Sequence, residues 1–256
     1  MTNDRGRFVW YDLRTTDDKT AQAFYTKVAN WGTTPMPGMD SYVMWTANDQ
    51  PLGGVMKMEA REQAPPHWIG YISTPDVDGT VTQAQSLGGG VIVPGTDIPN
   101  VGRFAILTDP QGAVFAIFSG QAGGTDGEPG VGQFSWHELA TTDYKKAFDF
   151  YSALFGWDKQ AEHDMGEMGI YLLFSRDGRE MGGMFNKPAE MPAPPNWLQY
   201  IRVDSADAAA ERVKANGGQI LNGPMDVPGG DRIAQCMDPQ GAAFAVHSRN
   251  ASQATA

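Results

Sequence analysis

The side chains with most to offer chemically stand in three short apolar segments. Asp12 lies in FVWYDLRT, Glu138 in FSWHELAT and His247 in AFAVHS. In strand alternation Asp12 shares a face with Trp10 and Glu138 with Trp136, while His247 follows Ala245 by two and faces the same way. A carboxylate partly desolvated beside an indole has a raised pKa and can serve as a general base. Glu138 and His247 can meet in a cavity as a catalytic acid–base pair or as a weak metal site. Equally, each can be a rim residue or a satisfied structural hydrogen bond. Of the other histidines, His137 alternates to the helix-facing side or to an edge, and His67 and His163 fall in loops. None has metal-ligand spacing with another. The single cysteine, Cys236, sits beside Met237 in a strand and reads as a small buried hydrophobe. Its isolation excludes an intramolecular disulfide and any cysteine-rich zinc or iron–sulfur site.

The elements that must position these groups occur twice. Residues 8–17, FVWYDLRTTD, match residues 134–143, FSWHELATTD, at six of ten positions and an offset of 126. Phe24-Tyr25 matches Phe150-Tyr151 and Trp31 matches Trp157 at the same offset. After three extra residues in the second copy the offset becomes 129, pairing Gly53-Gly54 with Gly182-Gly183, Trp68 with Trp197 and Tyr71 with Tyr200. The run Asp109-Pro110-Gln111-Gly112-Ala113 then matches Asp238-Pro239-Gln240-Gly241-Ala242. Such matches in register mean two homologous modules, spanning 1–122 and 133–256, with a Gly-rich linker over 123–132.

Within a module the periodicity predicts a strand at FVWYDLRT and then a helix capped by Thr16 or Asp17. Ala21, Phe24, Tyr25 and Val28 form its apolar stripe. Two short strands follow, near 42–46 and 54–58, and Trp68–Thr74 opens a second strand–helix unit. The glycines at 88–90 and 217–218 follow helices and so are stops, not phosphate cradles. Strands at 103–108 and 113–118 flank the Asp-Pro-Gln-Gly turn, where Pro at the second position and Gly at the fourth suit a type I hairpin. The reading is α+β with mixed sheets, since strict βα alternation is absent.

Composition narrows the partners. Thirty acids against nineteen bases give a net charge of -11, which repels phosphate backbones and disfavours nucleic acid. No run approaches the roughly 20 apolar residues of a membrane span. The opening MTNDRGRFVW lacks the apolar core of a signal peptide, so a cytoplasmic protein, monomer or homodimer, is expected.

A strand, Thr-x-Asp before a helix ending in Phe-Tyr, Phe155-Gly156-Trp157, and a terminal Asp-Pro-x-Gly hairpin together resemble the vicinal oxygen chelate superfamily. This is the superfamily of glyoxalases, extradiol dioxygenases and bleomycin-binding proteins. Ile98-Pro99-x-Val101-Gly102-Arg103-Phe104 and Val227-Pro228-Gly229-Gly230-Asp231-Arg232 resemble its two-module glyoxalase-like or hydroxylase-like branch. The resemblance implies tandem βαβββ units curling around a cavity with the helices outside. It also implies three ligand positions for a divalent metal. Here the first is Trp10 or Trp136, the second Trp68 or Trp197, and the third Ala116 or Ala245. Indole and methyl groups offer no lone pair to a hard cation, so no metal and no cofactor are expected. The four tryptophans and two alanines are instead expected to point into the cavities and bind a small aromatic or apolar molecule. A filled core without a pocket is the competing reading. So are two other functions: a cofactorless hydroxylase-like or glyoxalase-like lyase or isomerase using Asp12, Glu138 or His247, and an interaction module with vestigial cavities.

Overall fold

The computed structural model describes residues 5–59, 62, 64–120 and 127–250. Part of the expected linker, 123–126, lies outside them. In the first repeat β1 (Phe8–Thr15), α1 (Asp18–Val28), β2 (Gly32–Met36), β3 (Met39–Ala47) and β4 (Gln50–Lys57) form one βαβββ unit. A second follows as β5 (His67–Ser73), α2 (Val77–Ser86), β6 (Gly90–Ile98), β7 (Gly102–Thr108) and β8 (Val114–Gly120). The second repeat runs β9 (Phe134–Thr141), α3 (Tyr144–Phe155), β10 (Asp158–Asp164), β11 (Ile170–Arg176) and β12 (Arg179–Asn186). It ends with β13 (Asn196–Arg202), α4 (Ala206–Ala215), β14 (Gln219–Asp226), β15 (Arg232–Met237) and β16 (Ala243–Ser248).

Local chemistry fixes these boundaries. Asp17, Asp76, Asp143 and Ser205 each accept a backbone N–H from the first helical turn, at Thr20, Gly79, Lys146 and Ala208. In α1 the predicted stripe of Ala21, Phe24, Tyr25 and Val28 is the buried face. The Asp-Pro-Gln-Gly hairpins close with Gly112 N–H donating to the Asp109 carbonyl and Gly241 N–H to that of Asp238, both 3.0 Å.

Each repeat forms one eight-stranded mixed sheet, ordered β2-β3-β4-β1-β5-β8-β7-β6 and β10-β11-β12-β9-β13-β16-β15-β14. The two orders are the same once shifted by eight strands, as duplication requires. Strands β2, β6, β10 and β14, which follow the helices and lie toward the sheet edges, had no counterpart in the periodicity reading. Their faces are mostly exposed, so no apolar alternation marks them.

Packing cuts across the repeats. One compact unit combines the β1 tip up to Trp10 with Ile69 onward through β8, and with Trp136 onward through Leu198. The other holds Tyr11 to Trp68, the segment before Trp136, and Gln199 onward. Each unit therefore takes one βαβββ unit from each repeat. In the second, the α1 ring of Tyr25 lies 5.6 Å from Trp45 and 5.2 Å from both Trp68 and Phe244. In the first, Tyr151 of α3 lies 5.2 Å from Phe115 and from Trp197. The helices lie on the sheet face away from Asp12 and Glu138, each burying one stripe and leaving its other face exposed.

Candidate functional site

Strand register separates the tryptophans. Tyr71 pairs with Ala116 across parallel β5 and β8, and Tyr200 with Ala245 across β13 and β16. Paired residues share a sheet face, so Trp68 and Trp197, each three residues earlier, lie on the opposite one. There Trp68 Nε1 donates to Tyr25 Oη at 2.9 Å, and Tyr25 Oη donates to Asp238 Oδ2 at 3.2 Å. Trp197, Tyr151 and Asp109 repeat this chain at 2.9 and 3.2 Å. Burial pushes both carboxyl groups above the usual carboxylate range and both phenols well above theirs; a carboxylate beside each phenol adds to the latter. The expectation that Trp68 and Trp197 point into cavities is therefore corrected: they are core residues on the helix side. Ala116 and Ala245 are fully buried. They pack beside Tyr71 and Tyr200 and offer no open surface.

Trp10 and Trp136 do lie on the other face. Trp10 packs, half-buried, against the apolar cluster of Val9, Ile69, Tyr71, Ala116 and Phe118 in the first unit. Val9 and Trp10, adjacent in sequence, both reach this cluster.

Asp12 and Glu138 stand at equivalent positions. Asp12 pairs with Gly54 and Glu138 with Gly183 across parallel strands. A Cβ on Gly54 would lie 2.1 Å from the Tyr42 ring, and one on Gly183 2.1 Å from that of Tyr171. Glycine is therefore what lets a tyrosine two strands away reach the carboxylate. In the second unit Tyr42 Oη donates to Asp12 Oδ1 at 2.6 Å, with both residues buried. In the first unit Trp136 Nε1 donates to Tyr171 Oη at 3.0 Å, and Tyr171 Oη to Glu138 Oε2 at 3.0 Å. These three residues are half-buried, and the Phe185 ring stacks on Tyr171 with centroids 6.1 Å apart. The arrangement offers aromatic faces beside a carboxylate already linked to a phenol.

His247 belongs to the second unit, where Ser135 and Asp231 bracket its ring. Glu138 belongs to the first unit. His137 takes the helix-facing alternative: it pairs with Gly182 on the face opposite Glu138 and is buried, stacked on Phe8 at 3.7 Å, with Nδ1 2.9 Å from the Met181 carbonyl. Tyr42, Tyr171, Ser135 and Asp231 were absent from the sequence candidates. The recurrence of Tyr42 and Gly54 as Tyr171 and Gly183, at an offset of 129, was the one signal available for the tyrosines.

The superfamily's divalent metal does not suit this donor set. Its first and third positions hold indole and methyl groups, and the register places a tyrosine, not a carboxylate or imidazole, beside the third. Among the described residues no group of three His, Cys, Asp or Glu side chains is gathered as a metal would require.

The doubled βαβββ sheet agrees with what comparison with known proteins shows. The chain belongs to the glyoxalase/bleomycin resistance protein/dioxygenase superfamily, whose family profile matches residues 133–246. It is 37% identical over 246 residues, 93% of this chain and 92% of the relative, to the "Putative glyoxylase CFP32" of Mycobacterium tuberculosis (strain CDC 1551 / Oshkosh). It is 28% identical to the anthracycline biosynthesis protein DnrV of Streptomyces peucetius, covering 94% of this chain and 92% of that one. The fold is shared with the Mn(II)-bound glyoxalase from Novosphingobium aromaticivorans, at a TM-score of 0.66 and 17% identity over 95% of this chain and 82% of that one. It is also shared with a homoprotocatechuate 2,3-dioxygenase variant from B. fuscum, at 0.70 and 14% over 97% and 72%. No helix among the described residues is long and apolar enough to cross a membrane.

Proposed function

We propose that the protein binds a small planar aromatic molecule against Trp136, Tyr171 and Phe185, with Glu138 as its polar anchor and without the superfamily metal. The observation that carries this reading is the Trp136–Tyr171–Glu138 chain of two 3.0 Å hydrogen bonds among half-buried side chains. In the first repeat the corresponding Asp12 and Tyr42 are buried, so the second repeat is the one that keeps surface for a ligand. Aromatic stacking supplies about 0.5–1.5 kcal/mol per good pair beyond area burial. Relatives named for anthracycline biosynthesis, whose products are fused aromatic rings, support this ligand class.

Titration with 1,4-dihydroxyanthraquinone, followed by tryptophan fluorescence, is expected to quench and saturate. Trp136→Ala should weaken binding roughly 2- to 10-fold, in keeping with one lost stacking contact. An unchanged Kd in Trp136→Ala removes the site. Elemental analysis of untagged protein should find far less than one equivalent of zinc, iron, nickel or manganese. Near-stoichiometric metal surviving chelator dialysis refutes the metal-free part.

The phenol hydrogen-bonded to Glu138 favours one further reading, turnover of the bound molecule by proton transfer in a lyase- or isomerase-type step. In that case Glu138→Gln abolishes turnover while leaving binding within a few fold.

A further inference from the structure

The second repeat carries a polar triad that the first repeat lacks. Ser135 Oγ lies 2.9 Å from His247 Nδ1, and His247 Nε2 lies 2.8 Å from Asp231 Oδ2. The second carboxylate oxygen, Asp231 Oδ1, accepts the Asn250 N–H at 3.1 Å. Three elements meet here: β9 supplies the serine, β16 the histidine, and the turn before β15 the aspartate. That turn closes by Val227 N–H donating to the Asp231 carbonyl at 2.9 Å.

The first repeat shows that the fold does not need this triad. Repeat register equates Ser135 with Val9, His247 with Phe118 and Asp231 with Gly102. Val9 and Phe118 are buried members of an apolar cluster. The same strands are thus held by hydrophobic packing in one copy, while the other holds an imidazole between a hydroxyl and a carboxylate.

The hydrogen bonds define the direction of proton flow. A carboxylate only accepts, so the neutral ring carries its proton on Nε2 and turns the Nδ1 lone pair to Ser135. Ser135 Oγ has a longer approach of 3.4 Å to the Tyr200 carbonyl, and Nδ1 is the nearer acceptor. Nucleophile, base and orienting group are all within hydrogen-bond reach, which is the arrangement that activates a serine.

We propose that Ser135, His247 and Asp231 form an acyl-transfer site, with Ser135 as nucleophile, His247 as general base and Asp231 as positioning residue. The substrate class is a small carboxylic ester. Ile233 and Arg202 pair with His247, and Tyr200 and Gln235 with Ala245; the Arg202 guanidinium donates to the Pro129 carbonyl, which leaves Ile233 and the Tyr200 ring to meet an uncharged acyl group. Ser135 Oγ bonds to the ester carbonyl carbon as its proton passes to Nδ1. The alkoxide then leaves with that proton, and water cleaves the acyl-serine by the reverse path to give acid and free serine. No oxidant, metal or cofactor enters. The proposal stands apart from ligand binding at Trp136, because no residue is shared.

The test is labelling of the full-length protein with a biotinylated alkyl fluorophosphonate, read by intact mass and peptide mapping. Attack by Ser135 forms the Oγ–P bond and expels fluoride, with the serine proton taken by His247. One adduct on Ser135 is expected, absent in Ser135→Ala and formed roughly 100-fold or more slowly in His247→Gln. Asp231→Asn should slow labelling and move its pH profile, which a purely structural role would not do. Ser135→Val and His247→Phe install the first repeat's residues, and melting curves near wild type keep loss of labelling separate from loss of fold. Three outcomes overturn the proposal: no adduct on folded wild type, an adduct only elsewhere, or wild-type labelling of His247→Gln.

Discussion

Replacing Trp68 or Trp197 by alanine is expected to destabilise the protein by about 3–5 kcal/mol, the usual loss for a buried large aromatic. Each indole is 6–7% exposed and meets several rings. Trp68 has Tyr25, Trp31, Trp45 and Phe134 within 5.2–6.3 Å, and Trp197 has Phe8, Tyr151, Trp157 and Phe174 within 5.2–6.1 Å. Each also gives its one N–H to a buried tyrosine oxygen, so truncation removes packing and a hydrogen bond together. The phenylalanine variants keep most of the volume and should lose roughly 1–2 kcal/mol, chiefly the donor. Trp136→Ala, at a half-buried position, should cost less than either core alanine. Urea unfolding monitored by far-ultraviolet circular dichroism measures all five. If Trp68→Ala loses under 1 kcal/mol while ligand binding disappears, the indole faces a cavity and the helix-side placement is wrong.

That prediction reverses the expectation drawn from sequence, and the reason lies in one strand. In HWIGYIS nearly every residue is buried, so both faces are apolar and no alternation reveals which is which. The pairing of Tyr71 with Ala116 decides, and parallel register between distant strands is not written in local periodicity. Elements with one wet face were legible: the α1 stripe, the helix caps and the Asp-Pro-Gln-Gly hairpins all follow from local residues. So was the duplication, which makes the two sheets share one strand order. What escaped was long-range. Tyr25 and Asp238 are 213 residues apart, and they meet because a compact unit takes half of each repeat. Ser135 and His247 are 112 residues apart. His247 stood out as a histidine on an apolar face, whereas its hydroxyl and carboxylate partners are residue types too common to flag.

His137 makes stability depend on pH in a predictable direction. Its imidazole is buried against Phe8, and desolvation drives its pKa down to about 3 from the ordinary 6.5. The Nδ1–H donated to the Met181 carbonyl opposes that shift without overcoming it. Between these values the unfolded chain binds a proton that the folded protein refuses. Stability from this group is therefore whole above about pH 6.5 and falls as pH drops toward 3. At roughly 1.4 kcal/mol per pH unit, acidification from pH 7 to pH 4 should remove about 3 kcal/mol. Asp109 and Asp238 act in the opposite sense, since a carboxyl group held above its unfolded value favours the folded state as acid is added. The wild-type curve alone mixes these effects, so the measurement is a difference. His137→Phe keeps a ring on Phe8 and titrates nothing, whatever its baseline stability at neutral pH. Denaturant unfolding of both proteins at pH 7 and pH 4 should show the gap shifting by roughly 3 kcal/mol in favour of His137→Phe. Parallel stabilities across that range would mean that the folded protein accepts the proton, and that the imidazole is not sealed against Phe8.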